Sequence, residues 1–367
     1  MEIAVIGGGI NGVFSAWRLA SHGYEVDLFE SDKLLGKTSS ASSKLLHGGI
    51  RYLEHGRLGL VRESLLDRAW WLKNAPHVTR PIEICMPVYR NSSRGLFKLY
   101  AGAQIYRLLA GKYSLGPSRL LKYNELIKSH SELKDQNLIG AISFYDGQMD
   151  EEKLGSWVKE KAIEAGVKIN ENEKVNSFNT SGKITTELNS LKRYRCIINA
   201  TGPWAAKLNN QNNIDSKFSL DLIRGSHLLI DYKINGSYLF QDPASERVIY
   251  ALDYFGNALI GTTEVFQENP DKVACSDEER YFLTKIFNDH FKYNLSQSEI
   301  IREFSGLRPI ISSNSRTSNK AFSRASREAE VEIVGNLVTI YGGKWTSAPS
   351  LSRKVLKKIN KLMGKVK

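Results

Sequence analysis

A glycine-rich turn between a short strand and a helix lies within the first thirty residues of the chain. An apolar strand predicted over residues 2–6 leads into the sequence GGGING at residues 7–12, which has the GxGxxG spacing. In such a turn Gly7 permits a sharp bend, Gly9 lets the backbone approach a pyrophosphate, and Gly12 lets the helix pack closely on the strand. Free N–H groups at the start of the following helix attract phosphate oxygens. The segment therefore predicts a βαβ unit that binds a dinucleotide.

The end of the second predicted strand supports this interpretation. Residues 25–29 are largely apolar and lead to Glu30, which follows Gly12 by 18 residues. This is close to the spacing at which an acidic side chain binds the ribose hydroxyls of a dinucleotide. Because its negative charge would repel a 2′-phosphate, the pattern favours FAD or NAD over NADP. The full strand, helix, strand and acid pattern is more specific than a chance glycine-rich turn.

Length and cysteine content place the chain among globular proteins of about two domains. It has 367 residues, of which 41% are hydrophobic, and a domain typically has about 100–200. No apolar run is long enough to cross a bilayer, and the first strand begins too close to Met1 for a signal peptide. The separated Cys85, Cys196 and Cys275 favour reduced thiols over a disulfide framework or a zinc site. We therefore expect a cytoplasmic protein without a metal.

The net charge of +12 allows anionic substrates, an anionic membrane surface or nucleic acid as partners. Seven of the last fifteen residues are Lys or Arg, with apolar residues between them at helical spacing. One interpretation is a basic amphipathic helix, peripheral on the inner face of a membrane. The other is a terminal helix packed on the body through Leu351, Val355, Ile359 and Leu362, and the ordinary width of that stripe favours it. No nucleic-acid-binding motif is present, so nucleic acid is not an expected partner.

Later segments of the chain have strand and helix patterns that would complete the sheet of the N-terminal unit. A helix is predicted over residues 152–165, and short strand patterns are predicted over residues 168–175, 194–199 and 337–341. The last two strands run into Ala200-Thr201-Gly202 and Gly342-Gly343-Lys344, each followed by a helical pattern. These junctions predict a discontinuous nucleotide-binding domain made of residues 1–80, 141–221 and 330–367.

The material between these segments has a different pattern. Residues 222–264 show the alternation typical of an antiparallel sheet, and residues 276–294 have a helical pattern. We therefore predict an α/β fold with an inserted α+β substrate domain, formed by residues 81–140 and 222–329. Residues 94–123 are basic and aromatic, and they indicate a helical cap or a surface-contacting lobe.

Several motifs resemble those of a known family. Residues 38–54, TSSASSKLLHGGIRYLE, are similar to the hallmark segment of FAD-dependent glycerol-3-phosphate dehydrogenases. Further similar blocks occur in the same order at residues 61–64, 75–77, 224–227, 261–264, 305–309 and 342–344. The resemblance covers nearly the whole chain. It implies a Rossmann-like FAD-binding domain of the D-amino-acid-oxidase type, and oxidation of sn-glycerol 3-phosphate or a related phosphorylated polyol to the ketone, dihydroxyacetone phosphate.

The chain departs from the family pattern at four places. Ala41 stands where the family usually has Arg, and Arg327-Glu328-Ala329 replaces Arg-Asp-Tyr. Residues 345–349, WTSAP, replace Leu-Thr-Thr-Tyr-Arg after the Gly-Gly-Lys. The sequence also stops one helix after Lys344, where bacterial members commonly carry an extra helical domain. These departures concern the substrate and the electron acceptor more than the flavin fold.

Cofactor contacts are expected from the glycine turn and from the family-like blocks. The turn supplies Gly7, Gly9, Gly12 and, at the ribose, Glu30. The resemblance adds a polar loop, a residue beside the adenine, a second nucleotide-contact motif and the start of the last helix, namely Thr38, Ser39, Ser40, Ser43, Val175, Ala200, Thr201, Gly202, Gly343, Lys344, Trp345 and Thr346. Lys344 would face the negative charge that develops on a reduced flavin.

The substrate site is expected to combine arginines with a histidine base. Arginine matches phosphate oxygens in two-point contacts, so Arg51 and Arg308 are the first candidates for the phosphate and Arg327 is the third. Histidine titrates near operating pH. We assign His227 as the base and His47 as a positioning residue beside the flavin. Two further side chains are candidates for the substrate pocket, Thr262 at the substrate hydroxyl and Tyr52 in its wall.

Two other functions remain open on the sequence. Arginine also binds carboxylates, which allows an FAD-dependent 2-hydroxy-acid or amino-acid oxidase of the same fold. The basic C-terminal segment and residues 94–123 also allow an electron-transfer flavoprotein at a membrane surface. A single GxGxxG implies no separate NAD(P)H domain, so electrons would leave to quinone, oxygen or another protein.

Overall fold

The computed structural model describes residues 2–188, 190–312 and 329–364. Its strands are β1 (Ile3–Ile6), β2 (Val26–Phe29), β3 (Leu45–Leu46), β4 (Thr79–Tyr89), β5 (Arg119–Lys122), β6 (Leu138–Met149), β7 (Lys168–Asn170), β8 (Val175–Phe178), β9 (Lys183–Thr186), β10 (Leu191–Arg193), β11 (Cys196–Asn199), β12 (Leu220–Ile230), β13 (Ser237–Gln241), β14 (Val248–Tyr254), β15 (Asn257–Gly261), β16 (Val265–Gln267), β17 (Ile300–Ile311), β18 (Glu330–Val334) and β19 (Leu337–Tyr341). Its helices are α1 (Ile10–Ala20), α2 (Leu58–Asn74), α3 (Leu96–Ala110), α4 (Tyr123–Ser129), α5 (Glu151–Glu164), α6 (Ala205–Gln211), α7 (Asp277–His290) and α8 (Ala348–Leu362).

The N-terminal unit forms the centre of a largely parallel sheet. Within the described ranges this sheet has six strands in the order β18-β19-β11-β1-β2-β7. β1 pairs in parallel with both β2 and β11, and β18 is antiparallel to β19. The βαβ prediction is confirmed, because α1 connects the adjacent parallel strands β1 and β2. Parallel strands with helices on their faces are buried on both sides, which explains the uninterrupted apolar runs.

One predicted strand is divided between two sheets. β7 extends the parallel sheet beside β2, whereas β8, which begins at Val175, pairs with β9 in a separate three-stranded antiparallel sheet. Asn172 between them has a positive φ of 56°. A left-handed residue at this position ends the first strand and redirects the chain, so periodicity over residues 168–175 overestimated the length of one strand.

The second large sheet is mostly antiparallel, as the alternating pattern of residues 222–264 predicts. In the described part of the chain it has ten strands, following the path β16-β12-β15-β14-β13-β4-β6-β3, with β17 paired to β12 and β5 to β6. Helix α7 packs on it through Leu283, Ile286 and Phe287 and begins with a capping box formed by Ser276 and Glu279. β6 passes through the predicted domain boundary between residues 140 and 141, so that boundary falls inside a strand.

A cluster of aromatic rings fills the space between α1, α2, α5 and the start of α8. It contains five of the six tryptophans of the chain, together with Phe14, namely Trp17, Trp70, Trp71, Trp157 and Trp345. Trp71 is fully buried and its ring centroid lies 5.2–6.4 Å from those of Trp70, Trp157, Trp345 and Phe14. The cluster joins the N-terminal unit to the C-terminal segment of the chain.

The C-terminal basic segment forms α8, which packs against α1. Leu351, Val355 and Ile359 are buried in the core, and Lys354, Lys357 and Lys361 are exposed. The stripe therefore packs on the body, as the second interpretation of this segment predicts. Of the helices that the structure describes, none has both the length and the apolar character to span a bilayer.

Residues 94–123 contain α3, which packs through Ala103, Tyr106 and Ala110. Its outer face exposes Phe97 and Leu108. The predicted helix is present, and its role as a cap or a contact surface remains a prediction.

Candidate active site

Two glycines of the GxGxxG turn have no room for a side chain. A Cβ at Gly7, whose φ is +103°, would lie 2.7 Å from the carbonyl oxygen of Ala200. A Cβ at Gly12 would lie 1.9 Å from the carbonyl oxygen of Gly7. At Gly9 the nearest atom would be the hydroxyl oxygen of Ser39, at 3.3 Å. The turn thus packs the end of β1 against the end of β11 and is less crowded at Gly9, where a pyrophosphate would approach.

The N-terminus of α1 is bonded to the polar loop of residues 38–43. The backbone N–H of Ile10 donates to the Ser39 hydroxyl at 2.9 Å, and the indole N–H of Trp345 donates to the Ser39 carbonyl oxygen at 2.8 Å. The helix start, the polar loop and the segment of residues 342–346 therefore meet at one place. The sequence predicts all three as cofactor contacts, the helix start from the glycine turn and the other two from the family resemblance.

Glu30 lies at the end of β2 and faces the same turn. One carboxylate oxygen accepts the backbone N–H of Gly8 at 2.6 Å, and the other accepts that of Asp32 at 3.0 Å. The position beside the turn agrees with a role at a ribose.

Other predicted cofactor residues make local contacts. The Ser40 hydroxyl donates to two backbone carbonyl oxygens that lie just before Thr38 in the chain. The Thr201 hydroxyl donates to the side-chain oxygen of Asn199 at 2.7 Å. Gly202 has a φ of +58° at the start of a 3₁₀ turn, and Val175 is buried. Their contacts with a cofactor remain predictions.

Lys344 places a positive charge in a buried position. Its Nζ has no hydrogen-bond partner among the described residues and lies 5.3 Å from the ring centroid of Tyr52. Gly343 before it has a φ of +93°, and a Cβ there would lie 2.4 Å from the side-chain nitrogen of Asn11. Burying an ammonium group is unfavourable unless an anion or hydrogen-bond acceptors compensate its charge. The position therefore fits an anionic ligand beside the ring of Tyr52.

His47 and Gly48 are bonded through their backbone to the segment of residues 342–346 and to helix α3. Its backbone N–H donates to the Thr346 hydroxyl at 3.1 Å, and the N–H of the next residue, Gly48, donates to the Tyr106 hydroxyl at 2.6 Å. A Cβ at Gly48 would lie 2.5 Å from that hydroxyl oxygen. This close approach explains the glycine at position 48, and at Gly49, whose φ is +75°, a Cβ would lie 2.3 Å from the ring of Tyr52.

His227 lies in β12 and is almost completely buried. Its Nε2 is 2.9 Å from the Ser43 hydroxyl, and its ring stacks on Phe304 at a centroid distance of 5.0 Å. Burial, reinforced by the charges of Arg308 and Lys44, holds the pKa of the imidazole well below 6.5. His227 is therefore neutral at neutral pH, and the structure brings Ser43, a predicted cofactor residue, to the predicted base.

Arg308 and Thr262 form a pair beside His227. The Arg308 guanidinium donates from Nη2 to the Thr262 hydroxyl at 2.8 Å. Gly225, two residues before His227, makes room for them, because a Cβ there would lie 2.4 Å from Thr262 Oγ1 and 2.7 Å from Arg308 Nη2. The antiparallel pairing of β12 with both β15 and β17 produces this juxtaposition.

A carboxylate and a further arginine complete this cluster. Glu264 Oε1 lies 3.6 Å from Arg308 Nη1 and 4.0 Å from Arg51 Nη1, and its Oε2 lies 3.7 Å from Nε of Arg247. Sequence reasoning missed both Glu264 and Arg247. Glu264 lies in the family-like block of residues 261–264, and that resemblance could have identified it as a site residue. Arg247 lies in a turn without a motif, so the sequence did not indicate its role.

Two buried ion pairs hold the loop that carries the site residues. Lys44 pairs with Glu151, which also accepts hydrogen bonds from Ser42, and Arg68 pairs with Asp146 at 2.9 Å. Burial raises the pKa of both carboxyl groups, and their cationic partners oppose that shift. The Tyr106 hydroxyl donates to Asp146 and accepts from the N–H of Gly48. These residues were also missed, because their role depends on pairing across 78–107 residues of sequence.

The described residues thus bring most of the predicted site together. Glu264 links Arg51 to Arg308, and strand pairing places Thr262 and His227 beside Arg308. The Nζ of Lys344 lies 5.3 Å from the ring centroid of Tyr52, the residue after Arg51. Arg327 lies outside the described residues.

A family model described as FAD dependent oxidoreductase matches residues 2–355. The chain belongs to this family. It is 33% identical to a glycerol-3-phosphate dehydrogenase of Pseudomonas tolaasii over 97% of this chain and 70% of the relative. It is 30% identical to an aerobic glycerol-3-phosphate dehydrogenase of Staphylococcus saprophyticus over 98% of this chain and 67% of the relative.

Solved structures show the same fold. A glycerol-3-phosphate dehydrogenase from Bacillus halodurans complexed with FAD superposes with a TM-score of 0.78 at 21% identity, over 99% of this chain. This chain spans 65% of the length of that protein. A glycine oxidase from Geobacillus kaustophilus superposes with a TM-score of 0.76 at 18% identity, over 100% of this chain and 95% of its own.

The predicted family, fold class and cofactor are confirmed. This FAD-dependent oxidoreductase offers a suitable place for its cofactor, because the turn excludes side chains at Gly7 and Gly12 and is less crowded at Gly9. The buried ammonium of Lys344 fits the negative charge of a reduced flavin. The assignment of individual residues to FAD or substrate remains a prediction.

Gly9→Ala tests where the cofactor approaches the turn. A Cβ at Gly9 would lie 3.3 Å from the Ser39 hydroxyl oxygen, a tight contact that a shift of a few tenths of an ångström relieves, so the stability of the apoprotein should fall by about 1 kcal/mol. If the pyrophosphate lies against Gly9, FAD affinity should fall at least about tenfold. FAD titration of the apoprotein and its urea unfolding measure the two effects. Gly59→Ala is the control, because a Cβ there meets no atom within 4 Å, and equal FAD affinity in both variants would contradict this placement.

Proposed function

We propose that the protein oxidises sn-glycerol 3-phosphate, or a closely related phosphorylated polyol, to the ketone, in this case dihydroxyacetone phosphate. The observation that carries this proposal is the convergence of Arg51 and Arg308 on one cluster beside His227 and Thr262. Arginine forks match phosphate oxygens, and a neutral imidazole can take a hydroxyl proton. The 33% identity to a protein named glycerol-3-phosphate dehydrogenase supports the same substrate.

In this proposal the chain binds the phosphate at one end of the substrate and removes a proton from the hydroxyl on the middle carbon. Bound FAD supplies the hydride acceptor. Arg51 and Arg308 hold the phosphate, and Thr262 positions the secondary hydroxyl. We assign His227 the tautomer that donates from Nε2 to the Ser43 hydroxyl, 2.9 Å away, which leaves Nδ1, without a hydrogen-bond partner among the described residues, to take the substrate proton. Lys344 compensates the negative charge that builds up on the cofactor side.

Anaerobic mixing of the holoenzyme with sn-glycerol 3-phosphate tests the substrate. Because the alcohol loses a hydride to the flavin, we expect the oxidised-flavin absorbance band to disappear within seconds. Glycerol, which lacks the phosphate, is the control and should reduce the flavin at least about 100-fold more slowly at equal concentration. Reduction by a 2-hydroxy acid or an amino acid, with none by the phosphate ester, would favour the carboxylate alternative instead.

The electron acceptor and any membrane contact are separate proposals. We propose quinone, oxygen or a protein as the acceptor. We infer that α8 would meet an anionic surface through its exposed lysines only, because its apolar stripe is buried in the core. Such a contact depends on charge, and salt would screen it.

A further inference from the structure

A single carboxylate lies at the centre of the arginine cluster. Glu264 is 9% exposed at its side chain, whereas Arg51, Arg247 and Arg308 are 25%, 23% and 27% exposed. The carboxylate is therefore more buried than the three arginine side chains that approach it. An anion that entered from the solvent would meet the arginines first.

The three arginines come from separate parts of the chain. Arg51 lies in the 3₁₀ turn of residues 50–55, Arg247 lies in the connection between β13 and β14, and Arg308 lies in β17. Three guanidinium groups so close together repel one another, and one shared carboxylate offsets that repulsion. Glu264 divides its two oxygens among them, with Oε1 toward Arg51 and Arg308 and Oε2 toward Arg247.

The distances in this cluster are longer than those in two other ion pairs of the same protein and are similar to the 3.6 Å between Lys192 and Glu173. Arg68–Asp146 and Arg224–Glu279 approach to 2.9 and 2.8 Å, which are hydrogen-bond distances. Glu264 lies 3.6–4.0 Å from its three arginines. It attracts all three by charge and forms a close two-point pair with none of them.

The charge of the cluster matches a phosphate ester. Three arginines and one carboxylate carry a formal charge of +2, the balance of three positive charges and one negative charge. A phosphate monoester carries a charge of about −1.5 to −2 at neutral pH, whereas a carboxylate carries about −1. Closely placed like charges in a cleft concentrate ions of opposite sign.

We propose that Arg247 is a third anion-binding side chain of this site and that Glu264 is the positioning residue that holds the three arginines as one acceptor for a phosphate dianion. The inference rests on the proposed function for the identity of the ester and extends it by naming what discriminates phosphate from carboxylate substrates. Arg247 binds phosphate oxygens directly. Glu264 acts through the arginines and does not contact the substrate.

The test is calorimetric titration of the oxidised holoenzyme with inorganic phosphate and, separately, with acetate. Arg247→Gln should raise the Kd for phosphate at least tenfold and should lower the ratio of the acetate Kd to the phosphate Kd, because the cluster charge falls to +1. Arg119→Gln is the matched control, since Arg119 pairs with Glu83 at 2.9 Å on the surface and should change neither Kd more than twofold. An Arg247→Gln variant with an unchanged phosphate Kd overturns the role of Arg247.

Glu264→Gln separates positioning from simple charge. If Glu264 positions the arginines, phosphate should bind at least threefold more weakly in Glu264→Gln, and Glu264→Asp should recover part of the loss. If it only opposes the positive charge, removing it should tighten phosphate binding, and that result overturns the positioning role. The KM for the substrate should follow the phosphate Kd while kcat changes less.

The outcomes also separate this inference from the proposed function. If phosphate binding depends on Arg247 but sn-glycerol 3-phosphate does not reduce the flavin, the inference stands and the proposed substrate is wrong. If that substrate reduces the flavin and Arg247→Gln changes neither its KM nor the phosphate Kd, the proposed function stands and the inference is wrong.

Discussion

Replacing His227 with alanine is expected to lower kcat by about 10²–10⁴-fold, the usual contribution of a general base. The imidazole is buried, and its pKa is held well below 6.5 by burial and by Arg308 and Lys44, so it is unprotonated at neutral pH but a weaker proton acceptor than a free imidazole. Stopped-flow measurement of flavin reduction by sn-glycerol 3-phosphate isolates this step. FAD content and the KM should change much less than kcat.

Two comparisons make this prediction decisive. His22→Ala is the control, because His22 is exposed and its ring bonds the carbonyl oxygen of Arg18 in the preceding turn of the same helix. His47→Gln tests the competing base. A loss of kcat in His47→Gln that exceeds the loss in His227→Ala would assign the proton transfer to His47.

The same residue has a consequence for stability against pH. In the unfolded chain His227 takes up a proton near pH 6.5, whereas the folded imidazole does so only at much lower pH. The unfolded state therefore binds more protons below about pH 6.5, and the free energy of unfolding falls as the pH is lowered through this range. Urea unfolding at pH 7.5 and 5.5 measures this fall, which should be smaller in His227→Ala than in the wild type.

Trp71→Ala is expected to lower the free energy of unfolding by about 3–5 kcal/mol, the range for a fully buried tryptophan. Its ring packs on Phe14, Trp70, Trp157 and Trp345. Its indole N–H lies 3.1 and 3.2 Å from the carbonyl oxygens of Trp345 and Thr346. The variant should therefore also bind FAD more weakly, because this hydrogen bond holds the segment assigned to the cofactor.

Urea unfolding of the apoprotein and FAD titration test both parts. Trp204→Ala is the matched control, since Trp204 is only half-buried, lies outside the aromatic cluster and bonds Asp271 at 2.7 Å, so its loss should cost about 1 kcal/mol. Trp71→Phe retains a ring without the N–H and should lie between the two. A Trp71→Ala variant no less stable than Trp204→Ala would show that the cluster does not join the two ends of the chain.

The local parts of the fold were predictable because short-range patterns determine them. The GxGxxG turn, the first two strands and α1 follow from glycine placement and apolar periodicity over thirty residues, and the structure confirms them. Residues 168–175 are divided between β7 and β8, because a left-handed residue at Asn172 interrupts a pattern that periodicity alone treats as continuous.

The residues of the site were predictable to different degrees. Arg51, Arg308 and His227 lie in blocks that resemble a family, and the resemblance predicts that all three belong to one substrate site. The contact between Ser43 and His227 was not predictable, because a hydroxyl in a polar loop bonds equally well to a cofactor or to a side chain.

The sequence by itself determined the dinucleotide-binding unit, the family and the flavin chemistry, since each depends on residues that are close together or on motifs in a fixed order. Only the tertiary structure decided that Arg247 and Glu264 lie beside Arg51 and Arg308. The same is true of the ion pairs that Lys44 and Arg68 form with carboxylates distant in the sequence. Charged side chains pair with whatever the packing of sheets and helices brings within a few ångströms. Strand register over more than a hundred residues sets that proximity, and local patterns do not encode it.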